Sequence, residues 1–205
     1  MDNYKTAAAP AEAEITVERS RFIAALVHVE SEEEAAEFIA RKKAEYHDAR
    51  HNCSAYILKD GTVRYSDDGE PHSTAGKPMA DVLSGSGLVD VCVVVTRYFG
   101  GVLLGTGGLV RAYSSAVKEA LAVAETAVMQ RCAEYTVSCS YSDYDYMQKN
   151  LIRFGRVLSS DFGADVTINV AIRLSCEEDF LSTVEKLFMG RYTLEKTGEK
   201  ILSAD

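Results

Sequence analysis

Three stretches of this chain hold residue types that do chemistry. The first is Asp67-Asp68-Gly69-Glu70, three carboxylates within four residues. Hard divalent cations prefer oxygen ligands, so such a cluster can hold one. It can equally pair with an arginine, or stand as a solvated turn whose aspartates cap their own backbone. It lacks the alternating ligands and downstream glutamate of an EF-hand loop, and neither a metal nor another cofactor is expected. The second stretch runs from Val91 to Ala124 and reads as strand, glycine-rich turn, second glycine-rich turn and helix. Gly100-Gly101 and Gly107-Gly108 let a backbone approach a ligand closely. A helix beginning after Gly108 offers unpaired amides and a positive dipole end to an anion. Arg97 and Arg111 flank it and could fork onto phosphate or carboxylate, or pair internally with Asp67, Asp68 or Glu70. The spacing is neither that of a P-loop nor that of a dinucleotide fingerprint. The third stretch places Asp48, His51 and Cys53 close together, with Ser73 and Thr74 beside His72. No nucleophile elbow accompanies them, and hydrolase chemistry is not expected. His47 and His51 are four apart but lack the glutamate of a helical zinc site.

These groups must be held by elements that the pattern of apolar residues locates. Residues 1–14 are expected as a mobile arm. Ile15–Val17 and Arg21–Val29 read as strands, and Ser31 caps a helix whose Glu32, Glu33 and Glu34 suit its positive end. Ala35, Phe38 and Ile39 supply its buried stripe. Cys53–Lys59 and Thr62–Tyr65 form a hairpin about Asp60-Gly61. A polar loop leads to a short helix at Met79–Ser84. Val89–Thr96 is a fully buried strand, and a helix follows from about Leu109 to Ala124. From Tyr135 onward the order is strand, helix, strand, strand, helix, strand, ending at Thr193–Ile201, which is the split βαβ plan. The expected division is therefore an arm, a domain of residues 15–130 and a ferredoxin-like domain of residues 131–205, an α+β protein throughout.

Composition narrows the function. The 205 residues carry 31 acidic and 22 basic side chains, a net charge of −9. Neither part is basic alone: 14 basic and 19 acidic residues lie in 1–131, and 8 and 12 in 132–205. Nucleic-acid affinity comes chiefly from phosphate neutralisation, so any such role needs a local arrangement of arginines. Five cysteines without C-x-x-C spacing read as buried free thiols in a reducing compartment. No signal peptide and no apolar run of membrane-spanning length is evident, so the expected location is the cytoplasm, without membrane contact.

Three ordered strings carry a resemblance. They are His51-Asn52-Cys53-Ser54-Ala55-Tyr56, then Ser66-Asp67-Asp68-Gly69-Glu70-Pro71 with Thr74-Ala75-Gly76-Lys77-Pro78, then Thr96-Arg97-Tyr98-Phe99-Gly100-Gly101 continuing through Gly107-Gly108-Leu109-Val110-Arg111-Ala112-Tyr113. Together they make the chain, over about residues 15–125, similar to the IMPACT/YigZ family. The resemblance implies a first domain like domain IV of elongation factor G and a second like its domain V. Eukaryotic members of the family regulate translation by competing for an activator of the amino-acid-starvation kinase, through an additional N-terminal domain for which residues 1–14 leave no room.

The resulting expectation is a translation-linked binding protein without catalytic activity, contacting RNA, the ribosome or a protein partner. Its contact residues are expected among Arg97, Tyr98, Phe99, Arg111 and Tyr113, where arginine meets phosphate and an aromatic ring stacks on a base. Asp67, Asp68, Glu70, His51 and the glycines of the two turns complete the candidate surface. The competing expectation is a protein that binds a phosphorylated small molecule at the glycine-rich turns.

Overall fold

The computed structural model describes residues 3–204, and its contacts divide the chain between Val128 and Met129. The protein is α+β with two antiparallel sheets. The first unit contains strands β1 (Asn3–Ala7), β2 (Ala11–Val17), β3 (Ser20–His28), β4 (His51–Ile57), β5 (Val63–Ser66) and β6 (Val91–Tyr98), with helices α1 (Glu32–Glu45), α2 (Gly76–Ser86) and α3 (Gly105–Val123). Five of the strands form one sheet in the order β2-β3-β6-β4-β5. Strand β6 is central, and side chains alternate across a strand. Val91, Val93 and Val95 therefore pack toward α2 and α3, while Cys92 and Val94 pack with Ala35 and Phe38 of α1. Cover on both faces explains why β6 is almost uninterruptedly apolar.

Helix α1 starts as its sequence dictates. The Ser31 hydroxyl accepts the amide of Glu34 at 3.2 Å, and three glutamates fill the first turn. Two expectations need correction. Of the expected mobile arm, residues 1–2 lie outside the described residues, and residues 3–7 and 11–14 are strand. Tyr4, Thr6 and Ala7 are buried, and β1 is tied down where Val89 donates to the Lys5 carbonyl and Ala8 to that of Glu125. In β2, Ala11, Ala13, Ile15 and Val17 are half-buried while Glu12, Glu14 and Thr16 point outward. A two-residue period written largely in alanine carries a weak hydrophobic signal. The second correction concerns Gly105-Thr106-Gly107-Gly108, which is not a turn but the first turn of α3. Each helical glycine costs ~1 kcal/mol relative to alanine. Burial of Leu109, Ala112, Tyr113, Ala116, Val117 and Ala120 offsets that cost.

The start of α2 is capped from a distance. Asp67 Oδ1 accepts the amides of Ala75 at 3.0 Å and Gly76 at 2.8 Å, and Oδ2 accepts that of Ser73 at 2.7 Å. Burial alone would raise the Asp67 carboxyl, but the three amides outweigh it and hold it below the usual carboxylate range. A value lower in the folded than in the unfolded chain adds stability that is complete above the unfolded value. That stability is lost as pH falls through the folded value. Asp67→Asn is expected to cost about 1–2 kcal/mol near neutrality, as loss of a helix cap does. The gap from wild type should close as urea denaturation is repeated below about pH 4.

The second unit contains β7 (Thr126–Cys139), α4 (Tyr141–Leu151), β8 (Gly155–Phe162), β9 (Val166–Arg173), a 3-10 turn at Leu174–Cys176, α5 (Glu177–Phe188) and β10 (Tyr192–Ser203). The second five-stranded sheet runs β1-β7-β9-β8, with β10 also pairing with β7. The β10–β7, β7–β9 and β8–β9 pairs are antiparallel, and two helices lie in sequence between the strands of this unit. This is the split βαβ plan. Val137, Val166, Ile168, Val170 and Ile172 pack against Met147, Leu151, Phe180, Val184 and Phe188. Among the described residues, no helix is long and apolar enough to cross a membrane. Cys53, Cys92, Cys132 and Cys139 are buried and Cys176 is half-buried, all as free thiols.

Candidate functional site

The site is laid out by strand register. His51 and Phe22 both stand opposite Arg97 on the central strand β6, so Phe22, Arg97 and His51 form a row across β3, β6 and β4. Their side chains share the face covered by α3. From α3, Tyr113 meets Phe22 edge-on, with ring centroids 5.2 Å apart. The Asp67–Glu70 turn comes over the same row. Asp68 and Gly69 take left-handed conformations there, φ 43° and 85°, which turn the chain and lay Gly69 against the His51 ring.

Glu70 joins these parts. Its Oε1 accepts Arg97 Nη1 at 2.6 Å and the Tyr113 hydroxyl at 2.8 Å. Glu70 is 8% exposed and Arg97 6%, so the two charges compensate one another inside the protein. The guanidinium also lies 5.5 Å from the Phe22 ring centre and 5.6 Å from that of Phe99. Arg97 Nε is buried without a hydrogen-bond partner among the described residues. Burial, reinforced by Cys53 and Glu70, drives the Tyr113 hydroxyl far above its ordinary value, so it stays a neutral donor.

The three carboxylates expected to act together have separate partners. Asp67 holds the start of α2. Asp68 accepts the Asn52 amide at 2.7 Å and Lys43 Nζ at 2.5 Å. Burial works against its charge, yet these two contacts keep it below the usual carboxylate range. Glu70 pairs with Arg97. The Asp48–His51–Cys53 grouping also comes apart. Strand β4 begins at His51, so His51 and Cys53 do share a face. Asp48 instead accepts the Tyr98 hydroxyl at 2.7 Å, and Tyr98 lies on the opposite face of the sheet from Arg97. Cys53 Sγ donates to the Asp67 carbonyl at 3.0 Å, and burial pushes its thiol up to about 12. A thiol in that state is not a nucleophile.

A cavity of about 470 Å³ opens above the row. Its floor is His51, Glu70 and Arg97, and its walls include Phe99, Leu103, Leu104 and Leu109. Gly105 and Thr106 at the start of α3 face it, and Arg50 stands at its rim. Arg111 lies elsewhere, in a neighbouring hollow with Val102, Gly108 and Ser115. The two arginines thus do not fork onto one anion. Tyr98 is half-buried against Arg21, whose guanidinium lies 5.5 Å from its ring centre. Tyr113 is fully buried and is no surface residue. Phe99 is 44% exposed beside the cavity.

The glycines divide by role. A Cβ on Gly100 would stand 2.1 Å from the carbonyl carbon of Arg19, so Gly100 serves close packing of the loop on the β2–β3 turn. Gly101 has φ 85° and open space around it. Gly107 lies against the Arg111 guanidinium, and Gly108 against Leu104. Sequence reasoning missed Phe22, Arg50, Leu103, Leu104 and Thr106. The apolar pair Leu103-Leu104, set between glycines in an otherwise exposed loop, was the available signal.

The Impact N-terminal domain family matches residues 18–121. The chain is 37% identical over 199 residues to "IMPACT family member YigZ" of Escherichia coli, covering 95% of this chain and 98% of that one. It is 50% identical over 123 residues to "IMPACT family member YvyE" of Bacillus subtilis, covering 59% and 57%. A solved structure described as that of a hypothetical protein aligns with TM-score 0.65 at 36% identity, covering 96% of this chain and 98% of that one. The motif strings that build the Phe22–Arg97–His51 row and the turn above it lie within the matched segment. The chain belongs to the IMPACT family, as a YigZ-like bacterial member.

Proposed function

We propose that this chain is a non-catalytic binding protein of the translation apparatus, docking on a protein partner through the loop between β6 and α3. The observation that carries this reading is Leu103, 87% exposed, with Phe99 and Val102 on the same short loop at 44% and 36%. Apolar side chains gathered on a surface and rimmed by polar ones mark interaction sites. The rim here is arginine: Arg50 and Arg111 line hollows that Leu103 and Leu104 share. Gly100 seats the base of the loop, and the Arg97–Glu70 pair holds the strand end from which it leaves. Such preorganisation lowers the entropic cost of docking.

The setting in translation comes from the family resemblance, with its implied likeness of the two units to domains IV and V of elongation factor G. A protein surface is favoured over RNA because the net charge is −9 and Arg97 is internally paired. RNA on the ribosome is the second reading, supported by exposed Arg50, Arg111 and Phe99 at this end of the sheet.

Cosedimentation with ribosomes and translation factors tests the proposal, with a photo-crosslinking residue introduced at position 103. Association is expected, with crosslinks to protein, and Leu103→Asp should weaken it about tenfold or more. Crosslinks to RNA would favour the second reading. No association, or association indifferent to Leu103→Asp, would remove both.

A further inference from the structure

We infer that the cavity over the Phe22–Arg97–His51 row is a binding site for a small organic acid. That acid carries a hydrogen-bond donor next to its acid group, and an apolar body. The inference does not rest on the docking reading and survives its failure.

Three features of the cavity define this ligand. The first is a pair of acceptors. A carbonyl can only accept, so His51 Nδ1 carries the proton in its 2.8 Å contact with the Asp68 carbonyl. In the neutral ring Nε2 then presents a lone pair. That lone pair lies 3.9 Å from Glu70 Oε2, beyond hydrogen-bond reach, while Glu70 Oε1 is already engaged by Arg97 and Tyr113. A hydroxyl or ammonium placed between Nε2 and Oε2 would satisfy both acceptors.

The second feature asks for an anion. Helix α3 is nineteen residues long, no side chain among the described residues caps its N-terminus, and Leu104, Gly105 and Thr106 all line the cavity. Amides of a first helical turn lack partners within the helix and favour negative charge. Arg97 independently points to the same ligand. It lines this cavity while 94% removed from solvent, and its Nε has no partner among the described residues. With Arg50 at the rim and Glu70 as the one acidic side chain of the lining among the described residues, the balance of charge favours an acid.

The third feature is the wall. Phe99, Leu103, Leu104 and Leu109 offer an apolar surface, and a volume of about 470 Å³ suits a small molecule. A carboxylate at the start of α3, its neighbouring donor between His51 and Glu70, and an apolar body along the leucines match the three features together.

Four probes sharing one apolar body separate these requirements: phenyllactate and phenylalanine carry acid and donor, 3-phenylpropanoate only the acid, and phenethylamine only the donor. In ¹⁵N–¹H titrations, either or both of the first pair should give saturable shifts at Leu104, Gly105, Thr106 and the His51 imidazole. Their affinity should exceed that of the other two probes by about tenfold. Thr106→Glu is the informative variant. Thr106 is exposed, and an acidic residue in the first turn favours the helix, so folding should survive. The added charge should nonetheless weaken acid binding by about tenfold or more. His51→Phe should remove the preference for the donor-bearing probes over 3-phenylpropanoate. Absence of saturable shifts, equal binding of 3-phenylpropanoate and the donor-bearing acids, or unchanged affinity in a folded Thr106→Glu variant would overturn the inference.

Discussion

Gly100→Ala is expected to unfold the first unit or to cost it more than about 4 kcal/mol, the range reached only by severe structural conflicts. The added Cβ would lie 2.1 Å from Arg19 C, 2.2 Å from Arg19 O and 2.5 Å from Ser20 N. All three are backbone atoms and none can rotate away. Nor can the turn they belong to move freely: Glu18 and Arg19 both have positive φ, 46° and 68°, in a two-residue turn between paired strands. Gly101 provides the control. It has a left-handed backbone but open space, so Gly101→Ala should cost only about 1–2 kcal/mol. Urea denaturation of the two variants would separate lack of space from backbone strain. A Gly100→Ala protein as stable as Gly101→Ala would refute the close approach.

Glu70→Ala is expected to cost about 3–5 kcal/mol, because it leaves the Arg97 charge buried without its counterion. It also strips the Tyr113 hydroxyl of its acceptor. Most of that loss is the burden of the stranded arginine. Arg97→Met combined with Glu70→Leu should therefore be more stable than Glu70→Ala alone, since a packed apolar pair can replace a buried ion pair. A double-mutant cycle by chemical denaturation measures the coupling. Strictly additive effects of Glu70→Leu and Arg97→Met would mean that the pair contributes no interaction of its own.

Much of the architecture is written locally in the chain. Ser31 with three following glutamates announces α1, and the unbroken apolar run of β6 announces a strand covered on both faces. The split βαβ order of the second unit is readable because its amphipathic helix α5 and its alternating strand β9 each bury one distinct side. Of strand β2 only Ile15–Val17 was legible, because alanine marks the inner face of its first half. The start of α3 escaped because four residues containing three glycines have low helical propensity, and only tertiary packing overrides it.

The site was legible as an inventory and not as an arrangement. Internal pairing of an arginine with Asp67, Asp68 or Glu70 could be anticipated, but the choice of Arg97 with Glu70 depends on strand register. Separation of Arg97 from Tyr98 follows from strand alternation, once β6 is known to extend through both. Placement of Arg111 in a different hollow from Arg97 follows from where α3 begins. Leu103 drew no attention because one exposed leucine is ordinary. Its meaning comes from Phe99 and Val102 beside it.

The central row has a consequence for how the protein breathes. Arg97 sits on a strand paired on both sides, and His51 and Phe22 are the residues that stand opposite it. Exposing that floor requires parting the middle of the sheet, an event with nearly the free energy of global unfolding. Residues 99–104 belong to neither helix nor sheet, and their opening is limited mainly by contacts at the loop's base. Amide exchange should therefore be slow in β6 and fast across residues 101–104, so molecules enter and leave by displacement of one wall over an immobile base.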